Sequence, residues 1–393
     1  MGRMMHKILT LNNISVAGLE RLPRDRYEVA SEIQHPDAIL LRSFNMHDMA
    51  IPPTLKAVGR AGAGVNNIPV EKMSKLGIPV FNAPGANANA VKELVLAAML
   101  LASRNICQAW DYTRGLEGDN LSLNKAVEAG KKRFAGFELP GRTLGVVGLG
   151  AIGAHVANAA SALGMNVIGY DPTITVQSAW RLSAQVKQAH SVDDLVSQCD
   201  FITFHVPLME ATRHMLSGDR IKLMNKGTVV LNFARDGVVD DEAVCAAIES
   251  GHLHAYVTDF PTTALMGRKG VVTLPHLGAS TAEAEDNCAV MVADQINDFL
   301  ENGNIRNAVN FPEVSMPRTN GVRLALANAN VPNMVGQIST ALADAGLNIV
   351  DLLNKSRGDV AYTLVDVEGE GEVDESLIER LKTIDGVLSV RLL

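Results

Sequence analysis

Two stretches of this chain carry residues whose types and spacing could do chemistry. In "TLGVVGLGAIGAHVANAASALGMNVIGYDP", Gly148-x-Gly150-x-x-Gly153 lies between a strand-like run and a helical pattern, and Asp171 closes the next strand-like run. Strand, glycine turn, helix, strand and acid together form the dinucleotide-binding fingerprint. Gly148 permits the tight turn, and Gly153 lets helix and strand pack closely. Gly150, with Ala151 and Ile152, brings the backbone of a helix N-terminus up to a pyrophosphate. Asp171 can accept from both ribose hydroxyls of NAD and would repel the extra phosphate of NADP, so NAD is the expected cofactor. The second stretch, "YVTDFPTTALMGRKGVVTLPHLGAST", sets His276 in a loop between a strand-like run and a helix start. A histidine that moves protons usually has a carboxylate orienting its other ring nitrogen. Between Thr258 and Pro275 the sole acid is Asp259.

These residues must be positioned by regular elements. "KILTL", "AILLRS", "AVGRAG" and "IPVFNAP" read as strands separated by helical patterns. The helix of "AVKELVLAAMLLASR" follows, then a loop rich in polar residues and glycine from Gly115 to Gly141. A second series, "TLGVVGLGAIG", "NVIGYDP", "FITFHVPL", "GTVVLNFAR", "AYVTDF" and "GVVTLP", again alternates with helices. Such alternation predicts α/β architecture: two doubly wound, Rossmann-like parallel sheets covered by helices. Ser280-x-x-Glu283 is a capping-box pattern opening the next helix. "NFPEVSMPRTNG" has linker composition. The tail reads strand, helix, strand, strand, helix, strand, a small α+β domain.

Composition bounds the function classes. A chain of 393 residues suggests two or three domains. Net charge is -8 with no long basic run, which argues against a nucleic-acid partner. Cys107, Cys199, Cys245 and Cys288 lack metal-knot or disulfide-framework spacing, so no metal is expected. "MGRMMHKILTLN" has no signal-peptide core, and the longest apolar run, "LVLAAMLLA", is far short of a membrane span. A reduced, cytoplasmic, water-soluble protein without membrane association is expected.

"FNAPGANANAVKELVLAAMLLASR", "GLGAIG", "FHVPL", "NFARDGVVDDEAV" and "PHLGAST" follow one another in order. Together they resemble the D-2-hydroxyacid dehydrogenases, most closely the phosphoglycerate-oxidising branch, and the tail resembles an ACT regulatory domain (βαββαβ). The resemblance implies a discontinuous substrate-binding domain (1–97 and 279–312) and an NAD-binding domain (98–278). A linker (313–321) and the ACT domain (322–393) follow. It further implies NAD-dependent oxidation of 3-phospho-D-glycerate to 3-phosphohydroxypyruvate, the first step of phosphorylated L-serine biosynthesis. His276 would be the acid/base, and Arg235 would hold the substrate carboxylate and carbonyl oxygen with its planar fork. Cofactor contacts would add His205, Val206, Pro207, Thr212, Ala234, Asp259 and Gly278. Substrate contacts would come from Arg42, Arg60, the loop Gly62, Ala63, Gly64 and Val65, Asn87 and Lys131. A family dimer implies a homodimer or a tetramer of dimers, consistent with "VKELVLAAMLLASRNICQAW" being apolar around most of one helix.

In the tail, Asn328, Asn330 and Asn348 would hold L-serine as an effector, with Asn333 standing where glycine is usual. One departure concerns the histidine's partner. Relatives pair it with a glutamate, and Thr263 stands there instead. An imidazole without a paired anion is expected to titrate at or below about 6.5. Two rivals stay open: a dehydrogenase for another small 2-hydroxy acid such as glycerate, and a catalytically weak NAD-sensing protein.

Overall fold

The computed structural model describes residues 5–369 and 373–393. Met1–Met4, at which the sorting-signal reading begins, lie outside them. The chain divides into two compact units, one made of Met1–Ala86 with Ala282–Leu393 and the other of Asn87–Thr281. In the first unit, β1 (His6–Leu11), β2 (Tyr27–Ala30), β3 (Ala38–Leu41), β4 (Ala57–Arg60) and β5 (Val80–Phe81) form a parallel sheet in the order β2-β1-β3-β4-β5. Helix Ala282–Asn302 covers it through Cys288, Val292, Ile296 and Phe299, all buried at helical spacing. Each large apolar side chain so buried contributes about 1.5–3 kcal/mol. Gly59 has no room for more: a Cβ there would lie 2.5 Å from the Val292 side chain. The helix opens at Ala282, so the cap position is Thr281. Glu283 therefore sits one place early for the capping box expected from Ser280.

The second unit is a seven-stranded parallel sheet. Its strands are β6 (Thr143–Val147), β7 (Asn166–Tyr170), β8 (Lys187–Gln188), β9 (Phe201–Phe204), β10 (Thr228–Asn232), β11 (Leu253–Thr258) and β12 (Val271–Thr273). They run in the order β12-β11-β10-β9-β6-β7-β8. "FITF" and "TVVLN" are buried throughout, as central strands covered on both faces must be. Helix Ala88–Ser103 belongs to this unit, its Val91, Val95, Ala98, Met99 and Ala102 packing with Leu144, Val229 and Leu231. The boundary expected between 97 and 98 runs through that helix.

Two expected features differ. The long apolar helix is broken at Asn105, whose φ of +50° ends the turn pattern, and a separate helix Ile106–Arg114 with no buried residue follows. The expected loop Gly115–Gly141 contains a helix, Asn120–Gly130, started by the Asp119 carboxylate accepting from the Ser122 N–H at 2.9 Å.

The tail forms β13 (Val322–Ala329), β14 (Leu347–Arg357), β15 (Val360–Gly369) and β16 (Val387–Leu392), antiparallel in the order β14-β15-β13-β16. Strand alternation sends Leu324, Leu326, Val365 and Val367 to the helices Met334–Asp344 and Glu375–Lys382. Ala325, Ala327, Tyr362 and Leu364 face the core built around Phe299 and Phe311. The segment expected as a linker is therefore packed: Val314 and Met316 are buried, and Ile305 and Val314 form an antiparallel bridge. Its anchor is Arg323, wholly buried, whose Nε donates to Asp366 Oδ1 at 2.6 Å and Nη2 to Oδ2 at 2.8 Å. The remaining guanidinium donors reach the carbonyls of Asn302, Met316 and Pro317.

Burial works against the Asp366 carboxylate, but hydrogen bonds from Arg323 and Thr319 win and hold it below its ordinary value. The resulting stability is present above the unfolded value of about 3.9 and is lost as pH falls through the lower folded pKa. Among the described residues no helix is long and apolar enough to cross a membrane. Arg323→Met alone should destabilise the first unit by about 3–5 kcal/mol in urea unfolding, because it leaves a buried carboxylate unpaired. Arg323→Met with Asp366→Leu should recover most of that loss.

Candidate active site

The order of the seven-stranded sheet reverses between β6 and β9, and the carboxyl ends of those strands open a crevice. Gly148 sits there at φ +89°, and a Cβ on it would lie 2.5 Å from the His205 carbonyl oxygen. A Cβ on Gly153 would lie 1.9 Å from the Gly148 oxygen, so helix and strand meet only because both are glycine. Gly150 is the extended N-cap of helix Ala151–Ala162, with no side chain capping it and open space where a Cβ would stand. The first amide groups of that helix face outward as an anion site. Asp171 accepts from the Leu149 N–H at 2.9 Å through Oδ2, and from the Thr173 N–H at 2.9 Å through Oδ1.

Across the crevice, the His205 Nε2 lies 3.0 Å from the Thr203 hydroxyl, and its Nδ1 is buried without a partner. Burial pushes His205 down to about 3, so it is neutral at pH 7. Val206 is half-buried and Pro207 exposed. The Thr212 hydroxyl donates to the Pro207 carbonyl at 2.6 Å and accepts from the Met209 N–H at 2.8 Å. It braces this loop and is engaged by it.

At the ends of β10 and β11 a second group assembles. Arg235 is exposed, next to the buried Ala234, and its Nη1 donates to the Ala234 carbonyl at 2.6 Å. Asn232, buried on β10, donates to the Arg235 carbonyl at 3.0 Å, and its own carbonyl accepts from the Thr258 hydroxyl at 2.9 Å. Asp259 is 1 % exposed. Burial raises its carboxyl above the ordinary value, opposed by nearby His276 and by the backbone N–H groups of Gly278 and Leu277. Its Oδ1 has no partner. The His276 ring packs on Phe260 at 4.9 Å between centroids and is exposed. The Asp259 carboxylate lies near His276 and accepts from the amides of the loop that carries it. Thr263 lies elsewhere, exposed in a hollow shared with Glu242, Cys245, Glu249 and Arg268.

Other expected residues of this unit are placed as follows. The Asn87 Oδ1 is buried and unpartnered. Lys131 is exposed on a short 3-10 turn and pairs with Glu128 at 2.5 Å. In the first unit, Arg42 follows β3 and Arg60 ends the adjacent β4, with the Arg60 Nε donating to the Arg42 carbonyl at 3.0 Å. The Gly62 N–H, expected to face an anion, is taken by the Arg60 carbonyl at 2.8 Å. What Gly62 supplies is shape: its φ is +156°, and a Cβ there would lie 1.9 Å from the Arg60 Nη1. Ala63 is fixed by Asn82, whose Nδ2 donates to its carbonyl at 2.6 Å, while the Ile68 N–H donates to Val65 at 3.0 Å and closes the loop beyond Gly64. Asn67 donates to the carbonyls of Arg42 and Phe44.

Neither Asn67, Asn82 nor Asn232 stood out in the sequence, because a bracing asparagine has no spacing signature. In the tail, Asn328 is buried with its Oδ1 unpartnered, Asn330 donates to the Gly358 carbonyl at 3.0 Å, and Asn348 is exposed on the edge strand β14. Asn333 adopts φ +64°, the left-handed conformation that asparagine tolerates.

The donor set of the crevice fits a dinucleotide: an uncapped helix N-terminus, a carboxylate at the end of the next strand, and the orphaned Asp259 oxygen at the far end. Residues 96–278 match the D-isomer specific 2-hydroxyacid dehydrogenase family's NAD-binding domain. The D-3-phosphoglycerate dehydrogenase of Methanocaldococcus jannaschii is 36 % identical over 335 residues, covering 83 % of this chain and 61 % of that protein. The Escherichia coli D-3-phosphoglycerate dehydrogenase is 33 % identical over 350 residues, covering 86 % and 82 %. Among solved structures, NAD+-bound 3-phosphoglycerate dehydrogenase from Entamoeba histolytica superposes with a TM-score of 0.61 at 26 % identity, covering 78 % of this chain and 99 % of that one. The TT0316 protein of Thermus thermophilus gives 0.64 at 25 %, covering 77 % and 99 %.

Fold and crevice thus define an NAD-dependent oxidoreductase of the 2-hydroxyacid dehydrogenase class. Within that class, the chain belongs to the D-3-phosphoglycerate dehydrogenase family. Asp171→Ala should weaken NADH binding roughly tenfold or more, since charge-assisted hydrogen bonds are lost, and should reduce discrimination against NADPH. Fluorescence titration with both nucleotides checks this.

Proposed function

We propose that this chain oxidises 3-phospho-D-glycerate to 3-phosphohydroxypyruvate with NAD. What supports the reading most is the group beyond the ends of β10, β11 and β12, where Arg235, Asp259 and His276 follow the same carboxyl edge of the sheet as the dinucleotide crevice. NAD, when bound, supplies the acceptor for the hydride leaving C2. His276 takes the hydroxyl proton as the C2–O bond becomes a carbonyl. Arg235 holds the carboxylate and the oxygen that becomes the carbonyl, stabilising the charge that develops there. Asp259 latches the His276 loop through the Gly278 and Leu277 amides, leaving its second oxygen for the carboxamide of the cofactor. Asn87 and the loop Gly62–Val65 contact the substrate carboxylate end, and Arg42, Arg60 and Lys131 supply cations for the phosphoryl group. For a net-acidic chain, such local cations are what a polyanionic substrate requires.

We further infer that the tail is an ACT-type module in which Asn328, Asn330 and Asn348 take L-serine between paired copies. The βαββαβ order and the exposed edge strand β14 support that reading. A homodimer, or a tetramer of dimers, is supported by the apolar side chains left exposed on the helices Ile106–Arg114 and Asn120–Gly130, among them Trp110 and Leu121.

His276→Ala should lower kcat by about 10²–10⁴-fold while NADH still binds, because a positioned acid/base group is lost without touching the crevice. Near-normal turnover in that variant would remove the acid/base assignment. Inhibition by L-serine should weaken in Asn348→Ala, with kcat in its absence unchanged. Equal inhibition of both proteins would place the effector elsewhere.

A further inference from the structure

The amino edge of the first sheet, opposite the edge that carries Arg42 and Arg60, has charges of its own. His6 opens β1, Arg26 and Asp37 immediately precede β2 and β3, and Lys56 immediately precedes β4. Because these strands run parallel, the four residues fall along one edge. With the end of helix Ala282–Asn302 and with strand β16 of the tail they enclose a hollow of about 430 Å³, all of it within the first unit.

Strand register brings Arg391 there. It pairs with Ala325 across β16 and β13, and Ala325 faces the core built around Phe299, so Arg391 points to the same face. Its guanidinium lies over the Phe299 ring at 4.3 Å, and Nη2 donates to the Phe299 and Leu300 carbonyls at 3.1 and 2.9 Å. Those carbonyls belong to the last turn of the helix, where a cation is favoured. That capping uses one nitrogen. Nη1 is buried without a hydrogen-bond partner, and among the described residues no carboxylate pairs with Arg391.

The other charges lining the hollow have partners. Lys56 lies 2.7 Å from Asp37, and Arg26 lies 3.3 Å from Glu301. Burial lowers His6 below its ordinary value, against the pull of Asp37, so it is neutral at pH 7. Arg318, exposed at the mouth, donates to the main-chain oxygen of Leu393 at 3.3 Å. Four permanent cations therefore face two carboxylates. The excess is two positive charges, or one where Leu393 carries a free carboxylate. A half-buried guanidinium without a counter-ion, in a hollow with surplus positive charge, is the arrangement that an oxyanion completes.

We propose that this hollow binds a small oxyanion of the phosphate class, with Arg391 at its floor and Lys56 and Arg318 at its rim. The bound anion ties strand β16 of the tail to the amino edge of the first sheet. It takes no part in the chemical step, since the residues assigned to that step lie elsewhere.

The test is the thermal unfolding midpoint of the full chain at pH 7, in sodium phosphate and in sodium chloride of equal ionic strength. Saturating NADH keeps the dinucleotide crevice filled. Phosphate at about 20 mM should raise the midpoint of the parent by roughly 2 °C or more over chloride. Arg42→Gln should keep that shift, which separates the hollow from the cations proposed for the substrate. Arg318→Gln should need roughly two- to fivefold more phosphate for the same shift, the scale of one exposed charge, with kcat unchanged. Arg391→Met should abolish the shift; if that variant does not fold, Lys56→Gln takes its place, with the loss expected of Arg318→Gln. Methyl phosphate distinguishes the source of the anion: an equal shift admits a phosphoryl ester, and a shift with inorganic phosphate alone restricts the hollow to the free ion. A parent midpoint no higher in phosphate than in chloride, or a phosphate shift equal in parent and in all the hollow variants, would overturn the proposal.

Discussion

The contact on which the catalytic unit depends is the close approach of Gly148 to the His205 carbonyl. Where the winding of the sheet reverses, the chain leaving β6 passes the end of β9, and only a glycine fits there at positive φ. The turn in turn brings Gly153 against Gly148 and points the uncapped N-terminus of helix Ala151–Ala162 into the crevice. Asp171 locks the turn from the neighbouring strand through the Leu149 amide. Any side chain at 148 or 153 would push helix and strands apart, and the anion site would be lost before any ligand contact was.

A second level of organisation lies in polar braces that join successive strand ends. Asn232 ties Arg235 to β11 through Thr258, and Asp259, next in sequence, ties the His276 loop to the same strand end. A buried carboxylate in this position is costly unless amides and a nearby cation compensate it. One of its oxygens is compensated within the protein and the other is not. A half-satisfied buried group of this kind suits a site that is completed by a ligand.

Much of this was legible in the sequence. The alternation of apolar runs with helical patterns specified both parallel sheets, and the glycine spacing with Asp171 located the crevice, because each needs particular residues at fixed intervals. The helix Asn120–Gly130 was not legible, since "DNLSLNKAVEAG" mixes polar and apolar residues without a wide stripe and has no buried residue except Gly130. The connection 313–321 looked like a linker because it carries proline, asparagine and glycine and shows no apolar period. What buries it is Arg323, a residue whose charge suggests a surface position until Asp366 is brought opposite from 43 residues away. The position of Asp259 beside His276 is likewise a product of sheet register: β11 and β12 pair in parallel, so their ends coincide.

The central claim is that this chain is a dehydrogenase for a phosphorylated 2-hydroxy acid. The most direct measurement compares kcat/KM of the unmodified enzyme for phosphohydroxypyruvate and for hydroxypyruvate, with saturating NADH. The charge-assisted contacts proposed for the phosphoryl group predict a preference of roughly a hundredfold or more for the phosphorylated substrate. Equal values, or a preference for hydroxypyruvate, would contradict the account and leave Arg42 and Arg60 without a role in substrate choice.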